Sequence, residues 1–249
     1  MRAGVALYRD VFELPPTDPA VSPRLLASLQ RNGGTVLGAF DGDRLVGFAY
    51  GYLGKDVRTG EIYHYSQVVA VHPGWQGAGV GRAIKFAQRD NVLAIGVSRM
   101  RWSYDPLRAA NAHFNLDVLG ARGRWFVRDL FGVEDTGRDA GVGTDRLIVE
   151  WDLTEEPGGR AGEPRPATEL GWGEQEADGD DRLLAVPRSW DDLLRGDRDG
   201  ALGVRRSVTA ALTELLDRGY EAVSCRLTGP ETAVYRLTPA NTVTTQAEV

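Results

Sequence analysis

Cysteine is almost absent from this sequence of 249 residues, which contains only Cys225. One cysteine cannot form an internal disulfide or a cysteine metal cluster, and its position in a β-like run favours a core residue over a nucleophile. The three histidines, His64, His72 and His113, are too few and too scattered to predict a zinc site. We therefore expect neither a disulfide framework nor a metal cofactor.

An excess of positive charge and long apolar runs are missing as well. The formal net charge is -6 at pH 7, whereas binding of nucleic acid needs a concentrated basic surface. No apolar run reaches the length of a membrane span, and the first residues carry no signal-peptide pattern. The sequence therefore predicts a soluble cytoplasmic protein without nucleic acid or membrane as a partner, although it could still bind an anion locally.

A glycine-rich loop between a strand and a helix is the most informative segment. Residues 66–88, SQVVAVHPGWQGAGVGRAIKFAQ, begin with a β-branched run that Pro73 ends, and three glycines follow at alternate positions from 77 to 81. The helix start offers unpaired N–H groups and a partial positive charge, and Arg82 adds a cation, so the loop suits a pyrophosphate. The helix is predicted to bury Ala83, Ile84, Ala87 and Val92.

The residues that flank the loop distinguish three kinds of phosphate-binding segment. A P-loop ends in Gly-Lys-Ser/Thr, whereas this loop ends in Gly81-Arg82-Ala83. A dinucleotide fold places GxGxxG directly after the strand, whereas here Val-x-Val-x-Pro, an aromatic residue and Gln precede Gly-x-Gly-x-Gly-Arg. This order resembles the acyl-CoA-binding motif of the GCN5-related N-acetyltransferase (GNAT) superfamily. The alternative is a glycine-rich turn before an ordinary helix.

The resemblance implies a binding site for acetyl-CoA or another acyl-CoA as co-substrate. In the family, Gln/Arg-x-x-Gly-x-Gly/Ala wraps the pyrophosphate of CoA. The preceding strand splays from its neighbour there and offers backbone groups to the pantetheine arm. The matching positions are Val69 and Val71 on the strand, and Gln76, Gly77, Ala78, Gly79, Val80, Gly81 and Arg82 in the loop.

Further segments extend the resemblance to about the first 153 residues. VLGAFDGDRLVGFAYGY resembles the second and third strands of the family's fold. RWSYDPLRAANAHFNLDVLGA and GVGTDRLIVEWDL resemble a branch with Trp-x-x-Asp-Pro-Leu, Asn-Ala-x-Phe-Asn and Leu-Gly motifs. The implied fold class is α/β (α+β), with a mixed, mostly antiparallel central sheet flanked by helices. The family's first strand is expected to be missing, because the sequence begins too late to hold it.

Local signals predict the elements of this part. Helices are expected at residues 3–14 and from Asp18-Pro19 to about residue 31, followed by a hairpin of residues 35–40 and 44–53. Strands are expected at residues 61–71 and 99–104. A helix is then predicted to begin at Pro106 with Asp105 as its N-cap.

The remainder of the chain is predicted to hold a linker and a small second module. Residues 155–175 are rich in Gly, Pro, Glu and Arg, which is typical of a linker. Beyond them, a β-α-β-β pattern predicts either a half-sized copy of the family's C-terminal part or an unrelated α/β tail, and we expect a role in packing or homodimer formation. The predicted domains are residues 1–153, a linker at 154–180 and the extension at 181–249.

The residue that protonates the leaving thiolate is not evident from the sequence. In much of the family it is a tyrosine within Phe-Tyr-x-x-x-Gly, and the matching position here holds Leu116. Tyr65, Tyr104 and Asp105 are the remaining catalytic candidates. Tyr65 is expected where its strand approaches the substrate side, and Tyr104 and Asp105 are expected at a carboxyl strand end, the usual ligand side of such sheets. Asp105 could equally be only a helix cap. His64 could be a base, but a lone histidine in a strand is more often a core residue.

Three polar residues are candidates for ligand contacts. Asn111 is expected to contact CoA and Asn115 to contact the substrate. Asparagine is a poor helix former, and two asparagines four residues apart on one helix face therefore indicate a binding role. Arg146 could hold a substrate carboxylate or only pair with Asp145.

The leading hypothesis is an N-acyltransferase that moves acetyl or succinyl from CoA to the amine of a small metabolite, such as an amino acid. The alternatives are a catalytically silent CoA-binding or regulatory module, which the missing tyrosine favours, and a nucleotide-phosphate binder unrelated to CoA.

Overall fold

The computed structural model describes residues 1–18, 20–133, 141–155 and 170–240. These residues divide into two compact units that interleave along the chain. The first contains Met1–Trp102, residues 131–133 and 141–143, and Asp152–Glu155; the second contains Ser103–Leu130, Thr144–Trp151 and residues 170–240. The fold is mixed α/β with mostly antiparallel strands, as predicted. The predicted domain limits at residues 153 and 181 stay a prediction.

Two amphipathic helices open the first unit. Helix α1 spans Arg2–Phe12 and α2 spans Pro23–Arg31. The predicted start of the second helix at Asp18 was wrong: the Ser22 side chain caps α2 by accepting from the Arg24 N–H at 3.3 Å. Pro19 lies outside the described residues. Both helices join one apolar cluster, which is formed by Leu7, Val21, Leu26 and Phe48.

Four strands and a long helix complete the first unit. The predicted hairpin is confirmed as β1 (Thr35–Asp41) and β2 (Arg44–Lys55), and β3 (Ile62–Val71) pairs antiparallel with β2. Helix α3 (Val80–Ala94) leads to β4 (Arg99–Tyr104), which runs parallel to β3 and whose last two residues belong to the second unit.

The buried face of α3 differs from the predicted one. Ala83 and Ala87 are exposed, and the buried residues are Ile84, Lys85, Gln88 and Val92. The prediction counted only apolar residues, whereas two long polar side chains occupy positions that face the sheet.

The second unit begins with a short helix that starts later than predicted. Residues 105–108 form a turn in which the Asp105 carboxylate accepts from the Leu107 N–H at 2.9 Å. Helix α4 therefore spans only Ala109–His113 and continues into a π-helical turn at Phe114–Val118. The prediction of Asp105 as a helix N-cap was wrong by about one helical turn.

Strands of the second unit pair around two further helices. Strand β5 (Arg122–Val127) pairs antiparallel with β6 (Arg146–Asp152), and β5 meets β9 at Gly123↔Ala222. The predicted β-α-β-β pattern is present, with an additional strand and helix, and its strands lie in the order β9-β10-β8-β7. The half-copy interpretation stays a prediction. The elements are β7 (Gln175–Asp178), β8 (Asp181–Pro187), α5 (Trp190–Gly196), α6 (Arg198–Asp217), β9 (Tyr220–Leu227) and β10 (Thr232–Pro239).

The predicted linker at residues 155–175 lies mostly outside the described residues. Where the description resumes, the chain is ordered against neighbours: Leu170 packs against an apolar cluster of the second unit, and Gln175 already belongs to β7.

Candidate functional site

The loop between β3 and α3 presents an open face of backbone groups. Gly77 and Gly79 have φ angles of 76° and 83°, in the left-handed region that favours glycine, and a β-carbon added at either would meet no atom within 4 Å. The first α-helical hydrogen bond runs from the Ala83 N–H to the Gly79 carbonyl at 2.9 Å. The N–H groups of residues 80–82 therefore precede the helical ladder, where the helix dipole favours an anion.

Strand β3 extends well past its pairing with β4. The parallel ladder comprises His64↔Met100 and Tyr65↔Arg101, and β3 continues for six residues to Val71. This arrangement is what the predicted splay of the two strands requires.

The backbone of β3 at Val69 and Val71 faces away from β2. The His72 N–H donates to the Val46 carbonyl at 2.9 Å, so His72 faces β2. Because neighbouring residues alternate in an antiparallel ladder, Val69 and Val71 point to the other side. The Gln76 side chain supports this direction, since its Nε2 donates to the Val71 carbonyl at 3.0 Å.

Two arginines lie beside the loop, and sequence reasoning found only one of them. Arg82 is exposed, with its guanidinium carbon 4.4 Å from the centroid of the Phe86 ring. Arg44 stacks in the same way on Trp75, at 4.5 Å, directly before Gln76. No local signal could reveal Arg44, because β2 brings it to the loop from 31 positions away in the chain.

A lysine is fully enclosed between α3 and the strands. The Nζ of Lys85 lies 3.6 Å from the centroid of the Trp102 ring, 3.3 Å from Gln88 Oε1 and 3.2 Å from Met100 Sδ. Burial lowers the pKa of Lys85 well below its ordinary value, because the apolar surroundings disfavour the ammonium.

Gln88 connects this lysine to a buried chain of hydrogen bonds. Its Oε1 also accepts from Ser66 Oγ at 2.8 Å, and its Nε2 donates to Thr35 Oγ1 at 2.9 Å. Thr35 Oγ1 lies 3.1 Å from His64 Nε2. Burial, and then the charge of Lys85, lower the pKa of His64 to about 4. His64 is therefore a buried neutral residue at pH 7, and the base role considered for it has no support here.

Lys85→Met is expected to raise the free energy of unfolding by about 1–3 kcal/mol, because methionine is buried without the cost of desolvating a polar group. The folded pKa of Lys85 lies below the unfolded one, so the unfolded chain binds this proton more tightly. The destabilising effect of Lys85 is absent at pH values above the pKa of the unfolded chain, and it grows as the pH falls towards the pKa of the folded protein. The gain should therefore be larger at neutral than at alkaline pH in urea titrations. The exposed Lys55→Met is the control, and a destabilised Lys85→Met at neutral pH would contradict the expectation.

Tyr65 lies on the face of the sheet opposite to Ser66. Its ring contacts that of Tyr52, with centroids 5.6 Å apart, and the Tyr52 hydroxyl donates to Gln67 Oε1 at 3.2 Å. Tyr65 is half-buried, so it stays a candidate for a proton-transfer role.

Tyr104 and Asp105, the other two catalytic candidates, are buried in the second unit. The Tyr235 hydroxyl donates to the Pro106 carbonyl at 2.8 Å, so the Tyr104 hydroxyl, 3.2 Å away, donates to Tyr235. Burial raises the pKa of Tyr104 well above its ordinary value. The Asp105 carboxylate accepts from Arg205 at 2.7 Å, with both side chains buried. These contacts stabilise the fold, and the catalytic roles predicted for the two residues stay predictions.

The polar candidates of the second unit occupy different environments. Asn111 is exposed, whereas Asn115 is buried in the π-helical turn beside the fully buried Leu116. The Arg146 guanidinium donates to the Asp145 carbonyl at 3.0 Å, while the Asp145 carboxylate accepts from the Asp129 N–H at 3.1 Å and from Thr209. The predicted roles of Asn111, Asn115 and Arg146 stay predictions.

The described residues lack two further features. They contain no group of three or more His, Cys, Asp or Glu side chains placed to hold a metal ion. None of their helices has the length and apolar character that crossing a membrane requires.

Comparison with known proteins gives one family match. Residues 5–112 match the model of the acetyltransferase (GNAT) family. No curated protein matches the chain. Similar solved structures include the ribosomal-protein-alanine N-acetyltransferase from Brucella melitensis (19% identity, 61% of this chain and 93% of that chain, TM-score 0.49). They also include the ribosomal-protein-S18-alanine N-acetyltransferase from Escherichia coli (17% identity, 61% of this chain and 89% of that chain, TM-score 0.44). A third is the NatC complex bound to Gag peptide and CoA (12% identity, 62% of this chain and 93% of that chain, TM-score 0.41).

Proposed function

Because residues 5–112 match the model of the acetyltransferase (GNAT) family, we propose that the chain transfers an acyl group from acyl-CoA to the amine of a small metabolite. The acyl group is acetyl or succinyl, and a free amino acid is the acceptor class we favour. No metal takes part in this proposal.

One observation carries the proposal: an open stretch of β3 backbone leads into the loop at the start of α3. Val69 and Val71 direct their backbone groups to the side where the ladder with β4 has ended. The N–H groups of residues 80–82 then offer donors to a pyrophosphate, with Arg44 and Arg82 close to the loop. An elongated ligand with a phosphate end and a peptide-like arm matches this order of groups.

Acyl transfer requires few catalytic side chains once the two substrates are held together. A neutral amine placed against a thioester gains much of the rate from proximity alone. The backbone of β3 and the loop would position the donor. Tyr65, on the face of the sheet shared with Tyr52, is the side chain of the first unit that we assign to the acceptor side.

A transfer assay tests the proposal directly. Acetyl-CoA and succinyl-CoA are each incubated with the full chain and a panel of free amino acids and polyamines, and acylated products are identified by mass spectrometry. We expect the release of CoA thiol to depend on the amine, with one mole of thiol released for each mole of acylated amine formed. Tighter binding of ATP or NAD than of CoA in calorimetry would overturn the assignment of the donor.

A CoA-binding module without transfer activity is the second candidate, and one observation favours it. The position of the family's acid is Leu116, which is fully buried, and Tyr104 cannot replace it while its hydroxyl is bonded to Tyr235. Binding of acetyl-CoA without product for any amine of the panel would establish this candidate instead.

A further inference from the structure

Lysine is scarce in this chain, and one of its lysines is buried. Of the 29 lysines and arginines, only Lys55 and Lys85 are lysines. Lys55 is exposed, whereas Lys85 is 2% exposed. An arginine keeps its proton in any protein environment, but a buried lysine can release it. The residue type at position 85 therefore permits proton transfer.

Lys85 lies where β3 and β4 separate. It contacts β4 directly through Met100 and Trp102. It reaches β3 through Gln88, whose Oε1 is shared with Ser66. Ser66 is the first residue of β3 beyond the ladder with β4.

The open part of β3 connects this point with the phosphate loop. From Ser66 to Val71 it spans six residues, or about 20 Å at about 3.3 Å per residue. A donor whose pyrophosphate occupies the loop and whose arm follows β3 therefore directs its thioester end towards Ser66 and Lys85.

The surroundings of Lys85 do not fix its charge. In the part of the chain that the structure describes, no carboxylate forms an ion pair with its Nζ. An amide oxygen, a thioether and an aromatic face surround it instead. The titratable group facing it from β3 is His64, which is neutral at pH 7. The amine can therefore gain and lose a proton without breaking a salt bridge.

We propose that Lys85 donates the proton that the leaving CoA thiolate needs. This inference rests on the proposed acyl transfer. The acceptor nitrogen attacks the thioester carbonyl carbon, and the carbon–sulfur bond then breaks with its electron pair on sulfur. The sulfur takes a proton from the Lys85 ammonium, which becomes a neutral amine. The acceptor nitrogen releases one proton to solvent, and Lys85 takes up one proton again after the CoA thiol has left, so the protons balance and the enzyme is restored.

Turnover of Lys85 variants tests the role. Lys85→Met is expected to lower kcat about 100- to 10,000-fold, the range for a positioned acid, while calorimetry shows CoA affinity unchanged. Lys85→Arg should have a similarly low kcat, because arginine cannot release its proton. If position 85 needed only a fixed positive charge, Lys85→Arg would restore the kcat. The kcat of the unmodified chain should fall at alkaline pH as Lys85 loses its proton, and Lys85→Met should lack this fall. Lys55→Met is the matched control and should keep full turnover.

A direct titration keeps the proposal testable without any variant. Labelling with ¹³C-lysine gives two side-chain signals, and Lys55 serves as the internal reference. In the CoA complex we expect Lys85 to titrate below Lys55. Equal titration of both lysines would overturn the role of Lys85. Full turnover of Lys85→Met, where the unmodified chain transfers acyl groups, would also overturn that role but would leave the proposed function intact. Absence of transfer in the unmodified chain would instead overturn the proposed function.

Discussion

Gly79→Ala is expected to lower the affinity for CoA by about 100-fold or more while the protein stays folded. The added methyl group projects into space that no protein atom occupies within 4 Å, at the loop where the pyrophosphate is proposed to bind. A displaced pyrophosphate loses hydrogen bonds from backbone N–H groups, each worth about 1.5–3 kcal/mol when the acceptor is charged. Loss of two such bonds corresponds to at least about 100-fold in Kd.

Gly96→Ala is the matched control for this substitution. Gly96 has a φ of 80°, against 83° for Gly79, and it also has no atom within 4 Å of an added β-carbon. Both substitutions therefore impose the same left-handed strain, of about 1–2 kcal/mol, but Gly96 lies beyond the other end of α3. Thermal melts should show equal destabilisation, and calorimetry should show weak CoA binding for Gly79→Ala only. Equal CoA affinity of the two variants would remove the loop from the donor site.

The parts of the fold that the sequence predicts well are those with local signals. The turn at residues 41–43, the β-branched run before Pro73 and the alternate glycines each determine their own conformation, so the hairpin, β3 and the start of α3 were correctly predicted. The match of residues 5–112 to the acetyltransferase family confirms the resemblance drawn from these segments.

Contacts between distant positions could not be predicted in the same way. Lys85 and Gln88 are polar, and nothing in the helical pattern shows that their partners are Trp102 and Ser66. Tyr104 was a catalytic candidate because it ends a strand, but its hydroxyl meets that of Tyr235, 131 positions later. Burial and partner decide the chemistry of such groups, and both depend on the tertiary fold.

Asp105 illustrates the same limit, and its two interpretations predict different results. The structure pairs it with Arg205 across 100 positions, with both side chains less than a tenth exposed. Asp105→Ala should lower the free energy of unfolding by about 3–5 kcal/mol, since it leaves the Arg205 charge buried without a counter-ion. Denaturant titration measures this loss. A general base would instead show full stability with lost turnover.

The surface pair of Asp192 and Arg195 is the matched control for Asp105. Its atoms are as close, at 2.5 Å, but both side chains are at least 70% exposed, so Asp192→Ala should cost much less stability than Asp105→Ala. Replacing Asp105 and Arg205 together by leucine and methionine should recover much of the loss, because neither charge then remains buried. Asp105→Ala could instead unfold at the same denaturant concentration as Asp192→Ala and no longer transfer acyl groups. That result would show that Asp105 acts as a general base and that its ion pair with Arg205 is not its main role.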